Sequence, residues 1–197
     1  MSLLRALEPG LLLAAPSLGD PNFAATVVLL GIHDADDGSL GWVVNGPTIA
    51  PAETILRATE LGRRGAIAGE RFFHPARRGG PVAPESVWIL YDCREGERLP
   101  GSIAIGEEIA VTATAEALQV LLAGGGPADF RLLVGYAGWG RGQLEEEIAR
   151  GAWLPASAPA DLVFEQGQEL DSLWERAYKR AIGTVPSAFV SRERGSA

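Results

Sequence analysis

The stretch Leu132 to Trp153, LLVGYAGWGRGQLEEEIARGAW, limits what this chain can fold into more than any other. Leu132, Leu133 and Val134 form an unbroken apolar run, the pattern of a strand covered on both faces. Gly135, Gly138, Gly140 and Gly142 follow in close succession. Their density predicts a turn carrying Tyr136 and Trp139, with positive φ or a close backbone approach. From about Arg141 the pattern becomes helical. Leu144 and Ile148 fall on one face, Glu145 and Glu146 complement the helix dipole, and Glu146 and Arg150 are spaced as an i,i+4 pair. Gly151 is placed to end that helix.

Ahead of this stretch, strands dominate. After a short N-terminal helix, Leu11–Ala15 reads as a strand and Pro16–Asn22 as a turn. Thr26–His33 is β-branched and apolar, the signature of a central strand, and the turn-forming loop Asp34–Gly38 joins it to Ser39–Asn45 as a hairpin that Gly46-Pro47 ends. Pro51 suits the first turn of a helix reaching Leu61, with Gly62 as its stop. Strands are expected over Phe72–Pro75 and Val87–Tyr91, separated by the turn GGPVAP. A strand pair, Ser102–Ile105 with Glu108–Thr112, turns at Gly106. Thr114 is a good N-cap for a helix that points Leu118, Leu121 and Leu122 inward. Ser172 and Glu175 form a capping-box pattern for a last helix with Trp174, Ala177, Tyr178 and Ala181 on one face. The order predicts an α/β or α+β fold with a mixed sheet, in one domain over residues 1–190 with a polar tail over 191–197.

The composition fits a globular chain with a real core: 197 residues, 47% hydrophobic and 21% charged. No apolar run approaches the roughly 20 residues that span a bilayer, and Glu8, Pro9 and Gly10 interrupt the one N-terminal run that resembles a secretory signal. A single cysteine, Cys93, excludes an internal disulfide and argues for a reducing compartment, so a cytoplasmic setting is expected. The net charge of −8 argues against nucleic acid as a partner. One basic cluster stands against that average: Arg63, Arg64, Arg71, Arg77 and Arg78.

The motifs that carry chemistry are sparse. Two histidines, His33 and His74, lie in no metal-ligand spacing; His33 beside Asp34, Asp36 and Asp37 reads as a solvated acidic loop, so no metal and no cofactor is expected. A triad can be assembled on paper from Ser17 or Ser86, either histidine and an aspartate, and Cys93 can be set beside a histidine, but no G-x-S-x-G elbow supports either. GYAGWGRG matches no phosphate-binding loop, and Glu145, Glu146 and Glu147 would repel an anion there. No helix-turn-helix or zinc-finger spacing appears.

PSLGDPNFAATVVLL (Pro16–Leu30), GWVVNGPT (Gly41–Thr48), GGPV (Gly79–Val82), GYAGWGRGQLEEEIARGAW (Gly135–Trp153) and LWERA (Leu173–Ala177) together resemble the bacterial AlgH/YqgE family almost end to end. The resemblance implies a partly barrel-like mixed sheet flanked by helices. It implies no catalytic residue; members are labelled transcriptional regulators without a DNA-binding motif visible here. The residues favour a non-enzymatic regulatory protein that binds a protein partner or a small molecule. Its candidate surface is the family blocks that read as turns: Asp20, Pro21, Asn22 and Phe23, then Asn45, then Gly79, Gly80 and Pro81, then Tyr136, Trp139 and Gln143. The alternatives are a direct DNA-binding regulator that uses the five arginines and a small hydrolase that uses Cys93 or a serine.

Overall fold

The computed structural model describes residues 7–65, 67, 69–94, 98–164 and 172–183; the expected N-terminal helix and the polar tail fall largely outside them. The expected central hairpin forms from β2 (Val27–Asp34) and β3 (Gly38–Val43), paired antiparallel, with a bulge at Gly31. β1 (Gly10–Ala14), buried at every position, lies on the other edge of β2. β9 (Phe130–Trp139) is the hub. One of its edges pairs with β6 (Val82–Asp92). Its other edge is shared: Leu133 and Val134 run parallel to β5 (Pro75–Arg78), while Ala137 to Trp139 run antiparallel to β3. β4 (Thr48–Pro51) covers β5, the hairpin β7 (Ile103–Ile105) and β8 (Ile109–Thr112) extends β6, and β10 (Trp153–Ala156) pairs with β1. The sheet is mixed and curls into a half-barrel. Ile103 Cγ2 on β7 comes within 3.6 Å of the space a Cβ on Gly31 of β2 would fill.

Helices cover the sheet where its side chains are apolar. α1 (Ala52–Ala58), α2 (Glu60–Arg64) and α3 (Ala115–Leu122) pack around Ile89, Tyr91, Ala110 and Leu132. α5 (Ala160–Phe164) and α6 (Leu173–Ile182) close the concave side over Leu11, Leu13, Val27, Leu29 and Leu90. α4 (Gln143–Ala149) packs outside β1, β2, β3 and β9 through Leu144. Among the described residues no helix is long and apolar enough to cross a membrane.

Several local expectations need correction. The helix expected over Pro51–Leu61 breaks at Thr59, whose hydroxyl caps α2 by accepting from Gly62 N. Gly62 therefore lies inside α2 rather than stopping α1, and a Cβ there would meet Leu56 O at 2.0 Å. Phe72 ends a single 3-10 turn (Glu70–Phe72), and the strand begins only at Pro75. The glycine-rich segment after Val134 is no turn: β9 runs on to Trp139, absorbing Gly135 at φ +75° opposite a break in β6, where Val82 pairs with Tyr136 and Val87 with Val134. GGPVAP likewise runs into β6, with Ala83 at φ +46°. Thr114 caps α3 as expected. Ser172 does not cap α6; its hydroxyl accepts from Arg176. Ala181 is exposed, while Trp174, Ala177 and Tyr178 are buried.

Candidate functional site

Three of the sequence blocks, Gly41–Thr48, Gly79–Val82 and Gly135–Trp153, meet at a joint where β9 passes from one neighbour to the other. Gly79 N donates to Val134 O and Gly79 O accepts from Val43 N, both at 2.7 Å, so this residue links β9 to β3 just beyond β5. The backbones cross so closely that a Cβ on Gly80 would lie 2.1 Å from Tyr136 C and one on Gly46 2.1 Å from Arg78 O. Pro81 is exposed beside them. Asn45 serves the same joint from the other side. Its Oδ1 accepts from Val27 N at 2.8 Å and its Nδ2 donates to Ala25 O at 2.9 Å. That amide holds Ala25 at φ +55°, a conformation an alanine seldom adopts. Asp20, Pro21 and Asn22 are exposed, with Asp20 Oδ1 accepting from Asn22 N.

A second set of block residues forms a polar knot inside an aromatic cluster. Phe23, Trp139 and Trp153 pack with ring centroids 5.6–6.4 Å apart. Trp139 Nε1 and Trp153 Nε1 both donate to Glu147 Oε2, at 2.9 and 2.8 Å. Gln143 Nε2 donates to Glu147 Oε1 while Gln143 Oε1 accepts from Gly140 N, which fixes the start of α4. Glu147 and Trp153 escaped the sequence reading as site residues. The one local signal was the i,i+4 spacing of Gln143 and Glu147 on α4; Trp139 ends β9 and Trp153 opens β10, so their indoles reach Glu147 only through the fold. Because one carboxylate oxygen serves two indoles, Glu147→Ala leaves two donors without their acceptor. It is expected to cost about 2–3 kcal/mol and to shift tryptophan emission to the red, as urea denaturation and fluorescence would register.

Of the remaining candidates, Arg77 and Arg78 belong to this joint through β5. Arg64 pairs with Glu60 at 2.7 Å. Arg71 donates to Gly125 O and Pro127 O and lies over the Phe72 and Phe130 rings, its pKa lowered by burial. Arg77, 7% exposed, donates to Gly46 O. Arg63 and Arg78 are exposed. Two of the five are thus committed to backbone carbonyls. Cys93 Sγ donates weakly to Glu107 O, Ser17 is exposed, and Ser86 Oγ joins Ala83 O to Trp88 Nε1. His74 is held below the usual imidazole range, first by desolvation and then by Arg131. His33 Nδ1 lies 2.8 Å from Ser39 Oγ, but both side chains are buried beneath α4. Asp34 is held below the usual carboxylate range by the Asp36 and Asp37 backbone amides. Among the described residues no three metal-ligating side chains converge.

One surface was invisible in the sequence. Ile32, Leu40 and Gly138 stand in one row across β2, β3 and β9. The space a Cβ on Gly138 would fill lies within 3.9 Å of both Tyr136 and Val82, and Trp88 packs edge-on against Tyr136 at 6.2 Å. Ile32 is 46% and Val82 38% exposed. This is the rim of the concave side, away from α4.

The family model described as AlgH-like (DUF179) matches residues 11–186. A UPF0301 protein of Anaeromyxobacter dehalogenans strain 2CP-1 is 40% identical over 187 residues, 93% of this chain and 92% of that protein. One of Burkholderia cenocepacia strain HI2424 is 36% identical over 189 residues, 94% and 93% of the two chains. The solution structure of the AlgH protein from Pseudomonas aeruginosa superimposes with a TM-score of 0.72 at 29% identity, covering 100% of this chain and 97% of that one. A Corynebacterium diphtheriae protein shares the fold at a TM-score of 0.68 and 20% identity, over 95% and 94% of the chains. With nearly its whole length matched and the same curled sheet, the chain belongs to the AlgH-like family.

Proposed function

We propose that this protein is a non-enzymatic, cytoplasmic regulatory protein that works by docking a protein partner on the open rim of its half-barrel. The observation that carries this reading is the patch in which the row of Ile32 and Leu40 meets the neighbouring pair Val82 and Tyr136 across Gly138, apolar side chains from four strands with two substantially exposed. Contiguous apolar surface of this kind marks interaction sites, with aromatic residues as anchors. The net charge of −8 favours a partner with basic residues flanking its apolar anchor. A catalytic reading has less support, because the Ser39–His33 contact lies beneath a helix and Cys93 meets only a carbonyl. Direct DNA binding has less support, because Arg71 and Arg77 face backbone oxygens.

Ile32→Ser with Val82→Ser tests the reading. Both positions are exposed, so the fold and abundance are expected to persist. The double variant is expected to lose enhancement of a hydrophobic dye such as anilinonaphthalene sulfonate and to fail to complement a strain lacking the gene. Unchanged dye binding with full complementation would refute the docking surface. Fluorescence anisotropy with random and promoter DNA across a salt series is expected to show no binding at about 150 mM salt; selective binding there would make the protein a direct regulator.

A further inference from the structure

Where the β2–β3 hairpin meets α4, two buried polar atoms face one another without a bond. His33 Nε2 and Glu145 Oε1 lie 3.6 Å apart, their side chains 4% and 18% exposed. Neither atom is open to solvent, and neither has a hydrogen-bond partner. The other ring nitrogen is already engaged by Ser39 Oγ at 2.8 Å, and a hydroxyl can accept or donate there, so it serves the ring in either charge state. We propose that His33 and Glu145 form a proton-operated clasp between the hairpin and α4, closed when His33 is protonated and loosened when it is neutral.

A neutral imidazole offers the carboxylate either a lone pair or a weak, overlong N–H contact. An imidazolium offers a charge-assisted hydrogen bond, which draws the two groups together to about 2.7–2.9 Å. Carboxylates stand around the ring. Asp34 follows on the same strand, Asp36 and Asp37 stand at the hairpin tip, and Glu145 faces the ring from α4. Arg141, the cation at the start of α4, is drawn aside by Asp36 at 2.7 Å. The state of the clasp reaches further than the hairpin. Glu145 and Glu147 share one short helix, and Glu147 carries the indoles of Trp139 and Trp153.

The clasp adds stability only in the protonated form. The gain belongs to the clasped, protonated form, so it is greater in acid than in alkali. His74 acts in the opposite sense, since its fold-depressed pKa favours the fold above the imidazole range and disfavours it on acidification. The experiment is therefore done in a His74→Gln background, which also leaves His33 as the sole histidine. Amide hydrogen exchange over residues 33–40 and 143–149, corrected for intrinsic chemistry, is expected to show roughly tenfold greater protection at pH 5.5 than at pH 8. Glu145→Gln supplies an amide that can donate to neutral Nε2, so the difference is expected to vanish. An undiminished difference in Glu145→Gln would overturn the clasp. Ring-nitrogen shifts of the protein with Glu145 intact give an independent reading. Protonation of His33 between pH 8 and 5 that moves the Glu145 carboxyl carbon supports the proposal, and a ring neutral throughout that range refutes it.

Discussion

Trp174→Ala is expected to destabilise the protein by about 3–5 kcal/mol. The indole is 1% exposed, packs on Tyr178 with ring centroids 4.5 Å apart, and fills the space between α6 and the concave side of the sheet. Its Nε1 also donates to Ala14 O at 2.8 Å, and Tyr178 Oη donates to the same carbonyl at 3.0 Å. Truncation removes a large apolar side chain and one of two donors together. Tyr178→Phe provides the comparison: the ring stays and Ala14 O keeps the indole, so the loss should be only about 0.5–1.5 kcal/mol. Urea denaturation followed by far-ultraviolet circular dichroism measures both without interference from the other tryptophans. A Trp174→Ala loss below about 1 kcal/mol would mean that α6 does not seal the core in solution.

Gly80→Ala should cost as much through an unrelated cause, about 3–5 kcal/mol. Gly80 has φ +154°, and a Cβ would lie 2.1 Å from Tyr136 C and 2.2 Å from Tyr136 O. Backbone on both sides of the crossing leaves nothing flexible to give way. The control is Gly106→Ala: φ is +65° but no atom lies within 4 Å of the added carbon, so only the backbone penalty of about 1–2 kcal/mol applies. Equal losses at the two sites, from chemical denaturation, would show that the crossing is looser than its geometry.

The regular parts of the fold were legible because side-chain pattern and backbone agree there. Val27–Leu30 and Trp42–Val43 are apolar, β-branched or aromatic, and buried, and the hairpin follows from the turn formers between them. Thr114 reads as a cap because its hydroxyl does cap. Glycine misleads where it serves close approach rather than chain reversal. Gly79, Gly80 and Gly135 spell a turn in one dimension, yet the chain stays extended and another backbone passes against it. The block residues were legible, but most of their roles were not. Asn45 looks like a ligand-binding amide until Val27 and Ala25 are seen to occupy it. The row Ile32–Leu40–Gly138 has no sequence signal, since Gly138 joins it only through pairing with a distant strand and a bulge puts Ile32 on that face.

The double hydrogen bond to Ala14 O has a consequence for biosynthesis. The donors arrive 160 and 164 residues after the acceptor, and the β10 partner of Leu11 is Ala156. On the ribosome, β1 pairs early with β2, but its other edge, within the run Leu11–Leu12–Leu13, waits on the order of ten seconds for translation to supply its cover. The nascent chain therefore carries an open, apolar strand edge through most of its synthesis. Its yield of folded product should depend on chaperone capacity and elongation rate more than the stability of the finished molecule would indicate.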